Sequence, residues 1–491
     1  MTANPSRPDP ARRPPDVVVV VLDTVRRDVL SGGASPAPHQ PNLDALREGC
    51  WVHPRAFAPA PWTAPSHASL FTGTQPWEHG VHLKGQPRLA EGASTLAGTL
   101  RALGYRTASF ASNNFVGPLT GLQQGFEQWW VGGKQDWLLR GFDGPPTAAW
   151  NRSRGSRLVR LAHFGLQEPM WSFLARRPGL VDKVAPVFLQ RKTGPARSEV
   201  AGWIDRELRG WLGGLAEQEP AFVFVNYMEA HEPYFGLPPP EGSVGRATRA
   251  VRQDSWNWAV GNWNPSDEQL DWLRGAYRRT FAVLDARLQN LVRALDEAGR
   301  WKNTLFVLTS DHGQALGENG VLFHGVRAAE PLLRVPLWVR PPPRVTVPLP
   351  TDRWVSLTSV RGAVEAMVRS ATGDAAPDPY GPVLADPIAF SDGLGGVVRP
   401  HVPPARLQQL DRLEVTGYAG SRKLVYDVVG RRCTVVDLET DPEEAHPSPV
   451  EPAGELEPLY RSMRAAAQQA FPTLAEGGAT VDARLASWGY V

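Results

Sequence analysis

The sequence predicts an α/β protein with a large, mostly parallel sheet covered by helices on both faces, followed by a small C-terminal antiparallel sheet. Residues 16–22 form an unbroken run of Asp, Val and Leu, mostly β-branched, which is typical of a central parallel strand buried on both faces. Strand-like and helical segments then alternate along most of the chain, as they do in a doubly covered parallel sheet.

The strand-like segments have the length and hydrophobicity of buried strands, and the segments between them show the periodicity of amphipathic helices. The strand-like segments lie at 16–22, 107–112, 221–227, 304–309 and 337–340. The helical segments lie at 43–48, 66–71, 93–103, 199–210 and 267–298. Because ligands of such sheets bind at the carboxyl ends of the strands, polar residues just past those ends are the first candidates for a site. These are Asp23, the segment after residue 111, Glu229 to His231, and Asp311 with His312.

The remaining segments suggest how the chain is divided. We expect a disordered lead-in at 1–15, a main α/β domain at 16–345 and a Pro-rich connecting segment at 346–404. Short strand-like segments at 413–419, 423–427 and 433–438, with a helix at 455–471, predict an α+β subdomain at 405–491. Residues 133–195 are rich in Trp, Arg, Gly and Pro and are expected to form an insertion. That insertion either roofs the site or presents a surface to a lipid-like substrate.

Composition excludes several classes of protein. With 52 basic and 50 acidic residues the net charge is +2, so no global field attracts nucleic acid. Two cysteines cannot form a disulfide framework and fit a reducing compartment. The apolar run at 17–22 is too short for a signal peptide or a membrane span. We therefore expect a cytoplasmic protein with no membrane span and no nucleic-acid partner.

Asp311 and His312 stand side by side just past the predicted strand at 304–309. A carboxylate and an imidazole at such a position form a ligand pair for a divalent metal ion. Gly313 follows them and lets the backbone turn away from the metal. The chain is therefore predicted to be a metal-dependent enzyme.

Thr63 is well placed to be the N-cap of a short helix, with Pro65 in its first turn and Gly73 just past its end. On one interpretation Thr63 only caps this helix. On the other, the helix N-terminus binds an anionic ester and the hydroxyl attacks it. A bound metal lowers the pKa of water from about 15.7 to roughly 7, and a metal beside Thr63 would activate its hydroxyl in the same way. A nucleophilic threonine therefore requires a metal held by Asp23, Asp311 and His312.

Five segments, in this order, resemble the sulfatase-like branch of the alkaline phosphatase superfamily. They are LDTVRRD at 22–28, TAPSHASLFTG at 63–73, MEAHEPY at 228–234, SDHGQALGE at 310–318, and the signature that begins KLVY at 423 and ends DPEE at 444. The resemblance covers roughly residues 16–345 and 413–444, and it implies the fold and an ester hydrolase activity.

The resemblance also implies roles for individual residues. Asp23 matches the first metal carboxylate, and Thr63 matches the nucleophile, which also contacts the metal. Asp311 and His312 match the remaining ligands of that metal.

A second group of residues has less settled roles. His231 and His324 match positions that contact the transferred group, or that bind a second metal together with Glu229. An ordinary strand-end carboxylate at Glu229 and a loop histidine at His324 are the alternatives. Asn113 is a candidate to hydrogen-bond the ester, and His67 stands where true sulfatases have an arginine that contacts it.

Two departures from the sulfatase pattern indicate the chemistry. True sulfatases oxidise a Cys or Ser to formylglycine, but oxidation of Thr63 would give a ketone. A Thr followed by x-Pro-x-His is instead similar to nucleotide pyrophosphatase/phosphodiesterases, in which the threonine itself is phosphorylated. Thr24 stands where many sulfatases have a second Asp, and the resulting oxygen and nitrogen ligands favour Zn or Mn, with Mg and Ca also possible.

The favoured function is hydrolysis of a phosphodiester or phosphomonoester through a phospho-threonine intermediate. The substrate would be a small-molecule or lipid-like anionic ester. Three alternatives stay open: a sulfatase, a transferase that passes the phosphoryl group to an alcohol, and a non-catalytic binding protein that keeps the fold.

Overall fold

The computed structural model describes residues 13–30, 40–82, 88–132, 196–232, 264–343, 353–372, 388–391 and 412–471, together with residues 234, 258 and 345. The predicted insertion at 133–195 and residues 1–12 of the predicted lead-in lie outside this set.

The described strands range from two to seven residues. In chain order they are β1 (Asp16–Leu22), β2 (Trp51–Val52), β3 (Ala56–Phe57), β4 (Arg106–Ala111), β5 (Gln128–Val131), β6 (Ala221–Tyr227), β7 (Thr304–Thr309), β8 (Ala315–Leu316), β9 (Leu322–Phe323), β10 (Leu337–Arg340), β11 (Val355–Ser356), β12 (Ile388–Ser391), β13 (Glu414–Ala419), β14 (Arg422–Asp427), β15 (Arg432–Asp437) and β16 (Ser448–Pro449).

The helices range from single turns to one long rod. They are α1 (Arg27–Leu30), α2 (Pro41–Glu48), α3 (Thr63–Thr72), α4 (Pro76–His79), α5 (Leu96–Ala102), α6 (Ala196–Gly213), α7 (Asp267–Glu297), α8 (Glu330–Leu333), α9 (Ser359–Thr372) and α10 (Glu457–Ala470).

The main sheet is centred on β1. Among the described residues its seven strands run in the order β2-β10-β7-β1-β6-β4-β5. β1 pairs in parallel with β6 on one side and β7 on the other, and all of its residues are buried. Alternate side chains enter two separate cores, with Val18 and Val20 in one and Val17 and Val19 in the other. The predicted central strand is confirmed.

Helices cover both faces of this sheet. On one face α7 packs against α2 and α6, and its apolar residues share a core with Val18 and Val20. On the other face α3, α5 and α9 pack together over Val17 and Val19. The predicted fold class is therefore confirmed, with a mostly parallel sheet between two helical layers.

Two features of the fold differ from expectation, one in the main sheet and one in the connecting segment. β10 pairs antiparallel with β7, and β2 pairs antiparallel with β10, so this edge of the sheet is not parallel. The segment 346–404, predicted to be an irregular connection, contains α9 and β12. The apolar residues of α9, among them Val360, Val364 and Met367, are buried against the core on the α3 side. The prolines around this segment hid its helical periodicity in the sequence.

The C-terminal subdomain is an antiparallel sheet with one helix packed on it. Its described strands run in the order β12-β13-β14-β15-β16, and α10 packs against β13. The approach is close at Gly417, where an added Cβ would lie 2.7 Å from Leu459 Cδ1 and 2.9 Å from Met463 Sδ. No helix among the described residues is long and apolar enough to cross a lipid bilayer.

Candidate active site

The carboxyl ends of neighbouring strands bring the candidate residues to one edge of the main sheet. Asp23 directly follows β1, and Asp311 and His312 follow β7. Asn113 follows β4, and His231 follows β6. Because β7, β1, β6 and β4 are consecutive neighbours in the sheet, side chains that are far apart in sequence meet at this edge.

Asp23, Asp311 and His312 form what we call the buried cluster. One donor atom from each lies within 4.8 Å of the others. Asp311 Oδ2 lies 3.4 Å from His312 Nε2, and Asn113 Nδ2 donates to Asp23 Oδ2 at 2.7 Å. Asp23 Oδ1 is buried and accepts no hydrogen bond from the described residues. The predicted ligand residues are thus assembled around a carboxylate oxygen, Asp23 Oδ1, to which none of the described residues donates.

Burial sets the protonation of both carboxyl groups. Loss of solvent raises the pKa of Asp23 well above its usual value, and the neighbouring charge of Asp311 raises it further. Burial likewise raises the pKa of Asp311 to about 7, although hydrogen bonds from the backbone N–H groups of Thr24 and His312 oppose the rise. Two buried carboxylates at this separation are not stable as anions unless a cation lies between them.

His312 is fixed in the tautomer that a metal requires. Its Nδ1 lies 2.9 Å from the carbonyl oxygen of Gly313, which can only accept, so Nδ1 carries the proton. Burial and the nearby His324 hold the pKa of His312 well below its usual value, which keeps the ring neutral. Nε2 therefore presents a lone pair towards Asp311 and Thr63.

Thr63 lies beside the buried cluster at the start of α3. Its Oγ1 is 3.4 Å from His312 Nε2 and 3.4 Å from Asn113 Nδ2. The sequence predicted Thr63 as the N-cap of this helix, but the N-cap is Trp62. Trp62 has an extended backbone, and Thr63 is the first helical residue. The hydroxyl is consequently free of any capping role. The Pro65 and Gly73 expectations are confirmed, with Gly73 in the left-handed conformation at φ 72°.

His67 lies one turn further along α3 and is buried. Its Nδ1 donates to the carbonyl of Thr63 at 2.9 Å and is 3.6 Å from Asp311 Oδ2. Its ring packs edge-on against Phe71 and Phe224. Burial lowers its pKa to about 4, so the ring is neutral at physiological pH. In this structure His67 contacts the backbone of Thr63 and the carboxylate of Asp311, a metal-ligand candidate.

His231, Glu232 and His324 form a second group, the half-buried cluster, whose donor atoms also lie within 4.8 Å of one another. The ring centroid of His324 is 4.8 Å from that of His231 and 4.6 Å from that of His312, so the two clusters adjoin. Although burial opposes ionisation of Glu232, His231 and His324 hold its pKa at about 2. Gln314 braces the cluster by donating to Glu232 Oε2 at 2.9 Å.

The carboxylate in this cluster is Glu232, whereas the sequence suggested Glu229. Glu229 Oε1 lies 3.4 Å from Arg287 Nε of α7, and Glu229 is not a member of the group formed with the two histidines. Glu232 and Gln314 are site residues that the sequence analysis missed. Each stands close in sequence to a candidate that the motifs did indicate, Glu232 directly after His231 and Gln314 two residues after His312.

Comparison with known proteins identifies the family. The Sulfatase family model matches residues 15–347, which is more than half of the chain. The chain belongs to the Sulfatase family.

Several relatives of the family are similar to this chain. An arylsulfatase of Clostridium perfringens is 22% identical over 360 residues, covering 67% of this chain and 69% of the relative. A multifunctional alkaline phosphatase superfamily protein of Trinickia caryophylli is 25% identical over 355 residues, covering 62% of this chain and 64% of that protein. The crystal structure of the phosphonate monoester hydrolase of Agrobacterium radiobacter has a TM-score of 0.58 at 18% identity and covers 96% of this chain and 95% of that one. This last likeness shows the shared fold.

Sulfatase and alkaline phosphatase-like proteins use divalent metal ions, and the buried cluster of this family member fits such an ion. Asp23 Oδ1 lacks a hydrogen-bond donor among the described residues, and His312 Nε2 carries a lone pair. Carboxylate oxygens with one imidazole nitrogen form a donor set that Zn and Mn accept well.

Backbone strain occurs beside both clusters of this sulfatase-family site. Thr24, directly after Asp23, has φ 63°, and Phe323, directly before His324, has φ 65°. A β-branched residue is a clear outlier in this region. Tyr277 donates from its hydroxyl to the carbonyl of Thr24 at 2.8 Å, which holds the strained turn in place. This contact helps to fix the direction in which Asp23 projects.

Proposed function

We propose that this member of the Sulfatase family hydrolyses phosphate esters with Thr63 as the nucleophile, through a covalent phospho-threonine. One observation carries the proposal. Thr63 Oγ1 lies beside the buried cluster, 3.4 Å from both His312 Nε2 and Asn113 Nδ2, at the N-terminus of α3. A threonine at this position cannot become formylglycine, which removes the usual sulfatase nucleophile and leaves the hydroxyl itself.

The chain's own residues supply the binding and positioning. The free N–H groups in the first turn of α3 favour the anionic ester next to Thr63 Oγ1. Asn113 donates from its amide to Thr63 Oγ1 and Asp23, and so it lies where an ester oxygen would be bound. Asp23, Asp311, His312 and Thr63 would hold a divalent ion. Such an ion, when bound, supplies a lower pKa for a neighbouring hydroxyl and compensates negative charge.

The reaction has two balanced steps. In the first, Thr63 Oγ1 forms a bond to phosphorus, the bond from phosphorus to the leaving alcohol breaks, and the hydroxyl proton of Thr63 is released. The leaving oxygen departs on the opposite side and takes up a proton. In the second step, a water oxygen forms a bond to phosphorus and the bond from phosphorus to Thr63 Oγ1 breaks. The water gives up a proton, Oγ1 takes up a proton to restore the hydroxyl, and the phosphate product is released. His231 and His324 lie beside the buried cluster, where they would donate to the developing charge or bind a second ion with Glu232.

The test compares Thr63→Ala with Thr63→Ser on nitrophenyl phosphate, bis-nitrophenyl phosphate, nitrophenyl phenylphosphonate and nitrophenyl sulfate. We expect Thr63→Ala to lose about a thousandfold or more in kcat/KM, because it lacks the attacking oxygen, and Thr63→Ser to keep part of the activity. Intact-mass spectrometry after rapid acid quench should show one added phosphoryl group on the wild type and none on Thr63→Ala. Near-normal turnover by Thr63→Ala would refute the nucleophile.

Sulfuryl transfer is the second candidate, because the family's named relatives include an arylsulfatase. Faster turnover of nitrophenyl sulfate than of every phosphorus ester would favour it. Phosphate release measured beside sulfate release distinguishes the two groups directly.

A further inference from the structure

A buried lysine joins the C-terminal sheet to the main domain. Lys423 of β14 is fully buried, and its Nζ lies 2.7 Å from Glu444 Oε1 and 3.1 Å from Glu330 Oε1. Tyr418 of β13 donates from its hydroxyl to Glu330 Oε1 at 2.7 Å. We call these four residues the Lys423 node. Burial opposes the charge on Lys423, but Glu444 and Glu330 outweigh it and raise the pKa, so the lysine is a cation.

Glu330 begins α8, and α8 lies directly on the metal-ligand loop. The backbone N–H of Gly313 donates to the carbonyl of Leu332 at 2.7 Å. The approach is so close that a Cβ added to Gly313 would lie 2.0 Å from the carbonyl oxygen of Pro331. Gly313 in turn supplies the carbonyl that fixes His312 Nδ1 at 2.9 Å. Through these contacts, a displacement of α8 would move Gly313 and, with it, the carbonyl that orients the His312 ring.

Helix α8 also forms a backbone hydrogen bond with the segment that precedes Thr63. The N–H of Ala58 donates to the carbonyl of Leu333 at 2.8 Å. Helix α8 thus contacts two backbone segments, one at Gly313 and one at Ala58. Its first residue, Glu330, belongs to the Lys423 node.

The loop after β15 contacts the main domain at two points. Glu444 Oε2 accepts from the backbone N–H of Glu330 at 2.6 Å, and the carbonyl of Glu443 accepts from Asn319 Nδ2 at 2.8 Å. Glu444 has φ 55° and Asn319 has φ 49°, so both contacting residues are in the left-handed region. Asn319 Nδ2 also donates to the carbonyl of Glu444 at 3.3 Å, so the two left-handed residues meet directly. The unfavourable backbone conformation of Glu444 indicates that the surrounding structure enforces this contact.

We propose that Lys423 is a positioning residue for the metal centre, which it influences through Glu330, α8, Gly313 and His312. Lys423 is separated from Thr63 and the buried cluster by α8, and its ion pairs are with Glu330 and Glu444. The proposal rests on the proposed function only in assigning Asp23, Asp311 and His312 to a metal ion.

The experiment measures metal affinity directly in the full-length protein. Zn²⁺ and Mn²⁺ are titrated against a competing chelating dye into wild type and Lys423→Met. We expect affinity to fall about tenfold in Lys423→Met, the lower end of the range for residues that orient metal ligands. Saturating metal should restore most of kcat. Hydrogen exchange should be faster at the amide of Gly313, which reports its bond to Leu332 whether or not metal is bound.

Two controls separate positioning from general stability. Arg422→Met removes a cation from the same strand, but its partner Glu455 is exposed, so metal affinity should not change. Met463→Ala leaves a cavity in the core of the C-terminal subdomain and lowers the Tm without touching Glu330. It should keep wild-type metal affinity at temperatures where it is folded. If Lys423→Met fails to fold, Lys423→Met/Glu444→Gln removes one charge of each sign and carries the same expectation.

Unchanged metal affinity and unchanged exchange at Gly313 in Lys423→Met would overturn the inference. An equal loss of affinity in Met463→Ala would also overturn it, because the effect would then follow stability alone. A wild-type protein that binds neither ion would instead overturn the metal assignment in the proposed function, and the exchange measurement would still decide the role of Lys423.

Discussion

The buried cluster and the half-buried cluster adjoin, yet their charges are balanced in different ways. In the half-buried cluster Glu232 lies between His231 and His324, and its side chain is 15% exposed. In the buried cluster Asp23 and Asp311 face each other without solvent, and Asp23 Oδ1 has no donor among the described residues. A cluster that balances its own charge keeps its shape without an ion, whereas like charges in a dry site need one. We therefore expect the buried cluster to bind metal first and the half-buried cluster to modulate the reaction.

Asp311→Asn should give the largest difference between the clusters. The amide oxygen can still accept from the N–H groups of Thr24 and His312, but one negative charge is lost. We expect kcat/KM to fall about a thousandfold, because a catalytic ion contributes several kcal/mol of charge stabilisation. The metal-free variant should unfold at a higher temperature than metal-free wild type, since the repulsion with Asp23 is gone. A variant that keeps both its activity and its metal would contradict the assignment.

Changes in the half-buried cluster should be milder. For His231→Ala and Glu232→Gln we expect kcat/KM to fall about ten- to a hundredfold, as for residues that support a metal site. Metal analysis should still find an ion at the buried cluster in both variants. Glu229→Gln is the matched control, because its carboxylate pairs with Arg287, and it should leave kcat/KM near the wild-type value. Losses as large as that of Asp311→Asn would place the half-buried cluster at the centre of the chemistry.

Metal removal should make stability depend on pH in a defined direction. In the metal-free protein the pKa of Asp311 is about 7, above its unfolded value of 3.8, so the folded state binds more protons between these pH values. The stability that protonation supplies is fully present below pH 3.8 and is lost as pH rises through about 7. Thermal unfolding with a chelator should therefore give a Tm that falls from pH 6 to pH 8.

Added Zn²⁺ should reverse that trend, because the ion replaces the proton and binds more tightly once the carboxyl is ionised. The Tm increase on adding metal should be greater at pH 8 than at pH 6. Asp311→Asn serves as the control and should lose most of this difference. An increase that is independent of pH would show that Asp311 is not a ligand.

Thr24→Gly should have the smallest effect. Glycine relieves the strain of φ 63°, but it also makes the unfolded chain more flexible and removes a buried side chain. These effects oppose one another, and we expect the free energy of unfolding in urea to change by about 1 kcal/mol or less. Metal affinity should fall only a few-fold, because Asp23 is then held less firmly. Loss of more than tenfold would mean that the Thr24 side chain has a direct role.

The sequence predicted the sheet and the buried cluster well, for identifiable physical reasons. β1 is a valine run that only a doubly covered strand explains, and residues that directly follow β1 and β7 must meet because those strands are neighbours. The identity of the carboxylate in the half-buried cluster could not be predicted in this way. Glu229 and Glu232 are three residues apart after β6, and only the tertiary structure shows that Glu232 lies with the histidines while Glu229 pairs with Arg287 of α7. The Lys423 node was hidden for the same reason, because its members come from α8, β13, β14 and a loop.

The chain distance between the ligands has a consequence for how the protein is made. Asp23 and Thr63 lie near the start of the region that the Sulfatase family model matches, and Asp311, His312 and His324 lie near its end. During translation the first candidate ligands therefore leave the ribosome long before the last. The growing chain lacks a complete metal site until β7 has paired with β1. An ion can therefore find its full set of ligands only late in synthesis, and it cannot guide the folding of the earlier segments. Metal binding at the buried cluster should consequently begin only after residue 312 has left the ribosome.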